Sequence, residues 1–117
     1  MAFSINSSLS AIKAFGSKMG IHGNNVANCY SDGFKKSRAV LLENARGGVQ
    51  VNIEKIEVPI SLHDGSTPHP VTEKERSDVD LAEEIPQILI TKRGFESSLM
   101  ALKTCDEMIG TIINLLG

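Results

Sequence analysis

Residues 79–117, Val-Asp-Leu-Ala-Glu-Glu-Ile-Pro-Gln-Ile-Leu-Ile-Thr-Lys-Arg-Gly-Phe-Glu-Ser-Ser-Leu-Met-Ala-Leu-Lys-Thr-Cys-Asp-Glu-Met-Ile-Gly-Thr-Ile-Ile-Asn-Leu-Leu-Gly, decide the fold. Positions 81, 85, 88, 92, 95, 99, 102, 106, 109, 113 and 116 alternate steps of four and three. They read Leu81, Ile85, Ile88, Lys92, Phe95, Leu99, Leu102, Asp106, Ile109, Ile113 and Leu116. Nine of the eleven are apolar, where a 41% hydrophobic composition gives between four and five by chance. Such a period predicts one long helix with a heptad seam. Asp80 and Glu83 stand at capping-box spacing, and Asp78, Asp80, Glu83 and Glu84 crowd the first turn, where helix dipoles favour carboxylates. Pro86 predicts a kink or a later start. At about 1.5 Å per residue the helix would run roughly 55 Å, longer than a small domain is wide. Met100, Met108, Ile112 and Leu115 widen its apolar face beyond one seam, so several neighbours are expected.

The first 28 residues repeat the pattern. Ile5, Leu9, Ile12, Gly16, Met19, Gly23 and Val26 again alternate steps of four and three. Two of these positions are glycine and Gly20 adds a third; each weakens a helix by roughly 1 kcal/mol relative to alanine. The helix is therefore expected to be stable only when packed, with glycine admitting a neighbour's backbone. Two matching seams joined by a short middle predict an antiparallel coiled-coil hairpin, with Ile5 near Leu116 and Val26 near Phe95. That register puts Cys29 near residue 92, roughly 20 Å from Cys105, so both thiols are expected to be free. The expected fold is mainly α: residues 1–28 and 79–117 form a terminal helical domain, and 29–78 a small middle segment. A self-contained core between the two helices is the plain alternative reading of the seam positions.

In the middle, Ser31-Asp32-Gly33 signals a turn, and Lys35-Lys36-Ser37-Arg38 after Phe34 reads as an exposed one. Gly47-Gly48 precedes Val49, Val51 and Ile53, then Ile56, Val58, Ile60 and Leu62, two period-2 runs that switch face across Glu54-Lys55. A strand pair or a bulged strand is expected, followed by a loop at Asp64–Pro70.

Composition excludes several functions. The 117 residues allow one domain, with no room for a large cofactor-binding enzyme. A net charge of −2 argues against general attraction to nucleic acid or an anionic membrane. The charge is uneven: residues 1–48 carry six basic and two acidic side chains, and residues 49–117 six basic and twelve acidic. Such ends can attract each other within or between chains. His22, His63 and His69 lack metal-ligand spacing. Glu83 and Glu84 point in different directions on a helix, and the serine pairs carry no Gly-x-Ser-x-Gly elbow. No catalytic, cofactor or metal site is expected, and no small-molecule substrate. No run of 18 apolar residues predicts a membrane span, and no cleavable signal is expected at the N-terminus.

Two stretches remain. Residues 24–38, Asn-Asn-Val-Ala-Asn-Cys-Tyr-Ser-Asp-Gly-Phe-Lys-Lys-Ser-Arg, resemble the signature of bacterial flagellar basal-body rod and hook proteins, in which an Asn-Asn-(apolar)-Ala-Asn stretch ends the first helix before a Gly-Phe-Lys turn. Residues 77–84, Ser-Asp-Val-Asp-Leu-Ala-Glu-Glu, resemble that family's opening of the last helix, and 104–115 its end. The motif positions are Asn24, Asn25, Asn28, Gly33, Phe34, Asp80, Leu81 and Glu84. The closest likeness is to the short proximal rod proteins. Cys29 stands where alanine is usual, and the middle is short, with Thr72–Arg76 in place of an aromatic strand.

The resemblance implies a structural subunit, exported without a cleaved signal, that stacks helically with copies of itself and other axial proteins into the periplasmic rod. The sixteen seam residues would be its assembly interface: Ile5, Leu9, Ile12, Gly16, Met19, Gly23 and Val26, with Leu81, Ile85, Ile88, Phe95, Leu99, Leu102, Ile109, Ile113 and Leu116. A soluble helical adaptor, or an assembly or export factor sharing the fold, is the competing expectation.

Overall fold

A computed structural model of the protein describes residues 2–56 and 77–117, the Phe3 side chain excepted. The elements are α1 (Ala2–Ala27), β1 (Ser37–Glu43), β2 (Val49–Lys55) and α2 (Leu81–Leu116). The expected alternation over Val58–Leu62, the loop Asp64–Pro70 with His63 and His69, and Thr72–Arg76 lie outside the described residues.

α2 starts where its capping signals place it. Asp80, with extended backbone, accepts a hydrogen bond from the Ala82 amide at 2.9 Å. Glu83 does not complete the capping box; it reaches Lys36 instead, at 2.8 Å. Pro86 does not delay the start, because the helix runs through it. Its missing N–H leaves the carbonyl of Ala82 without a helical donor, and Ala82 is exposed to water.

The helices are antiparallel, but their register differs from the expectation. Ser4 Oγ lies 3.5 Å from Cys105 Sγ, the Phe15 ring covers Gly94, and His22 bonds Glu84. Phe15, not Val26, therefore meets the Phe95 region, a slide of about three helical turns. The last turns of α2 consequently project past the start of α1, and Ile5 is not beside Leu116. Cys29 and Cys105 lie at opposite ends of the helix pair, and both are free thiols.

Close approach at Gly94 is a structural requirement. A Cβ there would sit 2.6 Å from two atoms of the Phe15 ring. Gly94→Ala gains about 1 kcal/mol of helix propensity and loses roughly 1–3 kcal/mol to overpacking. A net loss of stability is expected in a urea titration. In a Phe15→Leu background the same change should cost less or stabilise, a coupling that a double-mutant cycle reads directly.

The two strands form an antiparallel hairpin, Ser37 opposite Lys55 and Glu43 opposite Val49. The turn reading of Lys35–Arg38 is corrected here, since β1 begins at Ser37. Ala39-Val40-Leu41-Leu42 is a continuous apolar run without alternation, so the period-2 test passes over it. Gly47 and Gly48 turn the chain at φ 79° and 108°, in the left-handed region that side chains avoid. At Gly48 a Cβ would also meet Ser10 Oγ at 2.5 Å, and Ser10 accepts the Val49 amide hydrogen bond at 3.1 Å. The hairpin is thereby held flush on α1.

α1 alone packs against all three other elements. The molecule measures 81 × 27 × 17 Å along its principal axes. Among the described residues only Ala14 and Ile21 are buried apolar side chains. The accessible surface is 9091 Å². A compact monomer of 12.6 kDa would expose about 6,200 Å². Among the described residues many large apolar side chains are left exposed, most of them on α2.

Candidate assembly faces and the polar knot that registers them

Hydrophobic patterning and actual packing differ by one residue along each helix. Each expected seam divides into two rows of seven-residue spacing. Ile5, Ile12, Met19 and Val26 are half-buried on α1, as are Leu81, Ile88, Phe95, Leu102 and Ile109 on α2. Leu9, Gly16 and Gly23 face outward, as do Ile85, Lys92, Leu99, Asp106, Ile113 and Leu116. The other half of the inner stripe of α2 is Glu84, Thr91, Ser98 and Cys105, all buried or half-buried. Thr91 is fully buried.

These polar residues tolerate burial because they satisfy themselves. Thr91 Oγ1 donates to the Gln87 carbonyl at 2.7 Å, and Ser98 Oγ to that of Gly94 at 2.9 Å. Their small size also lets α1 come close.

At the turn end of the helix pair lies a buried polar knot. Glu84 is 4% exposed, although the sequence marked it only as a motif position with a helix-dipole role. Its Oε2 lies 2.6 Å from His22 Nδ1, and its Oε1 accepts from Asn25 Nδ2 at 3.3 Å. Asn25, 1% exposed, pairs its amide with both backbone groups of Ser37. Asn25 Nδ2 donates to the Ser37 carbonyl at 2.8 Å, and Asn25 Oδ1 accepts the Ser37 amide at 3.0 Å. One side chain thus acts as a neighbouring strand for the first residue of β1 and as a partner for α2. The knot ties α1, β1 and α2 together at one point.

The remaining motif residues build the junction around it. Asn28 Nδ2 donates to the Asn24 carbonyl and to Asn24 Oδ1 at 2.9 and 2.7 Å, and Ser31 Oγ donates to Asn28 Oδ1 at 3.1 Å. Gly33 turns at φ 70°, and the Phe34 carbonyl then accepts from the Asp78 amide at 3.2 Å. Lys35 pairs with Asp78 at 3.5 Å and Lys36 with Glu83 at 2.8 Å, so part of the charge asymmetry is used within the chain. Neither His22 nor Glu84 stood out in the sequence as a contact. The signal available was their seven-residue kinship with Phe15 and with Thr91.

Beside the knot, a cavity of about 230 Å³ is lined by Lys18, His22, Lys36, Arg38, Glu83 and Glu84, among others. Among the described residues no group of three His, Cys, Asp or Glu side chains could hold a metal ion. No described helix is long and apolar enough to cross a membrane.

The outer faces are broad. Ile85, Leu89 and Ile90 are 52–59% exposed near the start of α2. Met100, Met108, Ile112, Ile113, Leu115 and Leu116 are 45–85% exposed toward its end. On α1, a Cβ at Gly16, Gly20 or Gly23 would meet nothing within 4 Å, so no described residue uses the close approach these glycines permit.

Residues 74–115 match the family model described as flagellar basal body rod FlgEFG protein C-terminal. The match takes in α2 almost whole and supports the flagellar rod and hook family that the motifs resemble. That family is structural and not enzymatic. No curated protein matches the chain.

Proposed function

We propose that the chain is a structural subunit of the bacterial flagellar basal-body rod, stacking helically with copies of itself and with other axial proteins. Its terminal helices, residues 1–28 and 79–117, are the assembly unit, and the hairpin Ser37–Lys55 lies outside them. In this reading the subunit is exported without a cleaved signal and resides in the periplasmic part of the basal body. The observation that carries the proposal is the exposed apolar surface of α2, the element that matches the rod family. Among the described residues nothing covers the apolar side chains of its last turns, as expected of an end that is buried between neighbours.

Between subunits, coiled-coil contacts would use the outward row Leu9, Gly16 and Gly23, where glycine lets a neighbouring helix approach, together with Ile85, Leu99, Ile113 and Leu116. The inward row from Ile5 to Val26, and from Leu81 to Ile109, holds the subunit together. The motif residues serve the junction, with Asn25 and Glu84 setting the angle at which the helices leave it.

The experiment is quantitative mass spectrometry of purified hook–basal bodies. Several copies of this chain per particle are expected. Its absence from particles that retain the other axial proteins would remove the structural role.

A further inference from the structure

The outward side of α2 carries a pattern that packing among the described residues leaves unused. Ile85, Lys92, Leu99, Asp106 and Ile113 recur every seven residues and are all exposed, forming one row along the helix. Apolar and charged residues alternate along it. About Leu99 the charges are opposite in sign at equal distance: Lys92 lies seven residues before and Asp106 seven after. The flanking residues repeat the opposition of sign to within about a residue rather than at equal distance: Arg93 and Glu107 lie six before and eight after Leu99, and Glu96 and Lys103 three before and four after.

Within the chain these charges are poorly used. Lys92–Glu96 and Lys103–Glu107 are exposed pairs at 3.9 and 3.8 Å. Such pairs contribute little. Among the described residues Arg93 and Asp106 have no ion-pair partner.

A half-turn rotation about an axis near Leu99 brings a second α2 alongside in the antiparallel sense. It sets Lys92 and Arg93 of each copy against Asp106 and Glu107 of the other. Glu96 then faces Lys103, Ile85 approaches Ile113, and the two Leu99 side chains meet at the axis. A parallel, in-register pair would instead oppose like charges at every one of these positions, a repulsive arrangement. The sequence of this face is therefore complementary to itself under a two-fold axis, as an isologous interface requires.

We infer that the free chain forms an antiparallel two-fold dimer through the Ile85–Ile113 row of α2. The occupant of this face is a second copy of the chain. A contact from Ile85 to Ile113 runs roughly 42 Å. An isologous contact closes on itself, whereas a growing axial polymer needs head-to-tail contacts. Under the rod reading such a dimer would have to open before a subunit adds to a polymer. The inference rests on the charge order of α2, and it stands or falls apart from the rod reading.

The test uses the full chain. Leu99→Cys and Ile113→Cys are each made in a Cys29→Ser, Cys105→Ser background and oxidised, and light scattering gives the mass of the unmodified protein. The dimer predicts twice the 12.6 kDa chain mass at tens of micromolar. It also predicts strong cross-linking at residue 99, with at least about tenfold less at residue 113, where the two copies are roughly 40 Å apart. Equal cross-linking at both positions would show a parallel pair and overturn the inference. So would a monomeric mass, or a dimer that cross-links at neither. A charge exchange gives an independent arm: Lys92→Glu should dissociate the dimer, and adding Asp106→Lys should restore it. Dissociation without restoration would refute the pairing. Both positions are exposed, so the changes leave the monomer's packing alone.

Discussion

Glu84→Ala is expected to lower the unfolding free energy by about 3 kcal/mol. For a domain this size that is a fall of about 12 °C in melting temperature. The carboxylate is buried and serves two donors on α1, His22 and Asn25. Removing it strands both, and His22 Nε2 already lacks a partner. Because the Asn25 amide also holds the two backbone groups of Ser37, the loss reaches β1. Glu83→Ala is the control one residue away. Its carboxylate is 60% exposed and pairs with Lys36 at the surface. That change should stay within about 0.5 kcal/mol. Equal effects from the two substitutions, measured by thermal denaturation, would show that the knot does not register the helices.

The contrast between those neighbouring glutamates shows what the sequence conveys and what it hides. Asp80 announced its cap because the capping pattern is local, and the start of α2 follows from it. Heptad spacing announced both helices for the same reason. It named the rows Ile5 to Val26 and Leu81 to Ile109 as inward, and it also counted as inward a second row on each helix that faces out. Apolarity ranks side chains by their dislike of water, and in a thin subunit that dislike is greatest on surfaces left for other molecules. Thr91 and Ser98 could be buried instead, because each returns its hydroxyl to its own helix. Patterning cannot see such self-satisfaction.

The axial register was hidden for a different reason. A seven-residue repeat is nearly unchanged by sliding one helix past another by whole turns, so seam against seam does not fix the offset. Specific polar contacts do fix it, here His22 and Asn25 with Glu84, and Phe15 on Gly94. Asn25 and Glu84 were each singled out by a motif they resemble, but not as partners. Nothing in a single sequence states that residue 25 meets residue 84. β1 escaped because its apolar run does not alternate, and because the backbone groups of its first residue, which lies opposite Lys55, are bonded by a side chain of α1.

Ile112→Asp with Leu115→Asp should separate folding from assembly completely. The two side chains are 45% and 82% exposed, on the part of α2 that extends past α1. Neither lies on the Ile85–Ile113 row, so dimer formation by the free chain is not the quantity under test. Surface changes of this kind alter stability by about 0.5 kcal/mol or less. The helical circular dichroism and unfolding midpoint of the purified chain should therefore stay as they were. Under the rod reading, however, these residues enter a contact between subunits, and burying two carboxylates in an apolar interface without partners is prohibitive. The variant should be absent from purified basal bodies and should fail to restore swimming to cells lacking the chain. An unchanged fold with lost incorporation is the outcome that an assembly surface requires. Normal incorporation would mean that the last turns of α2 remain in water after assembly, and the apolar face would then need another occupant.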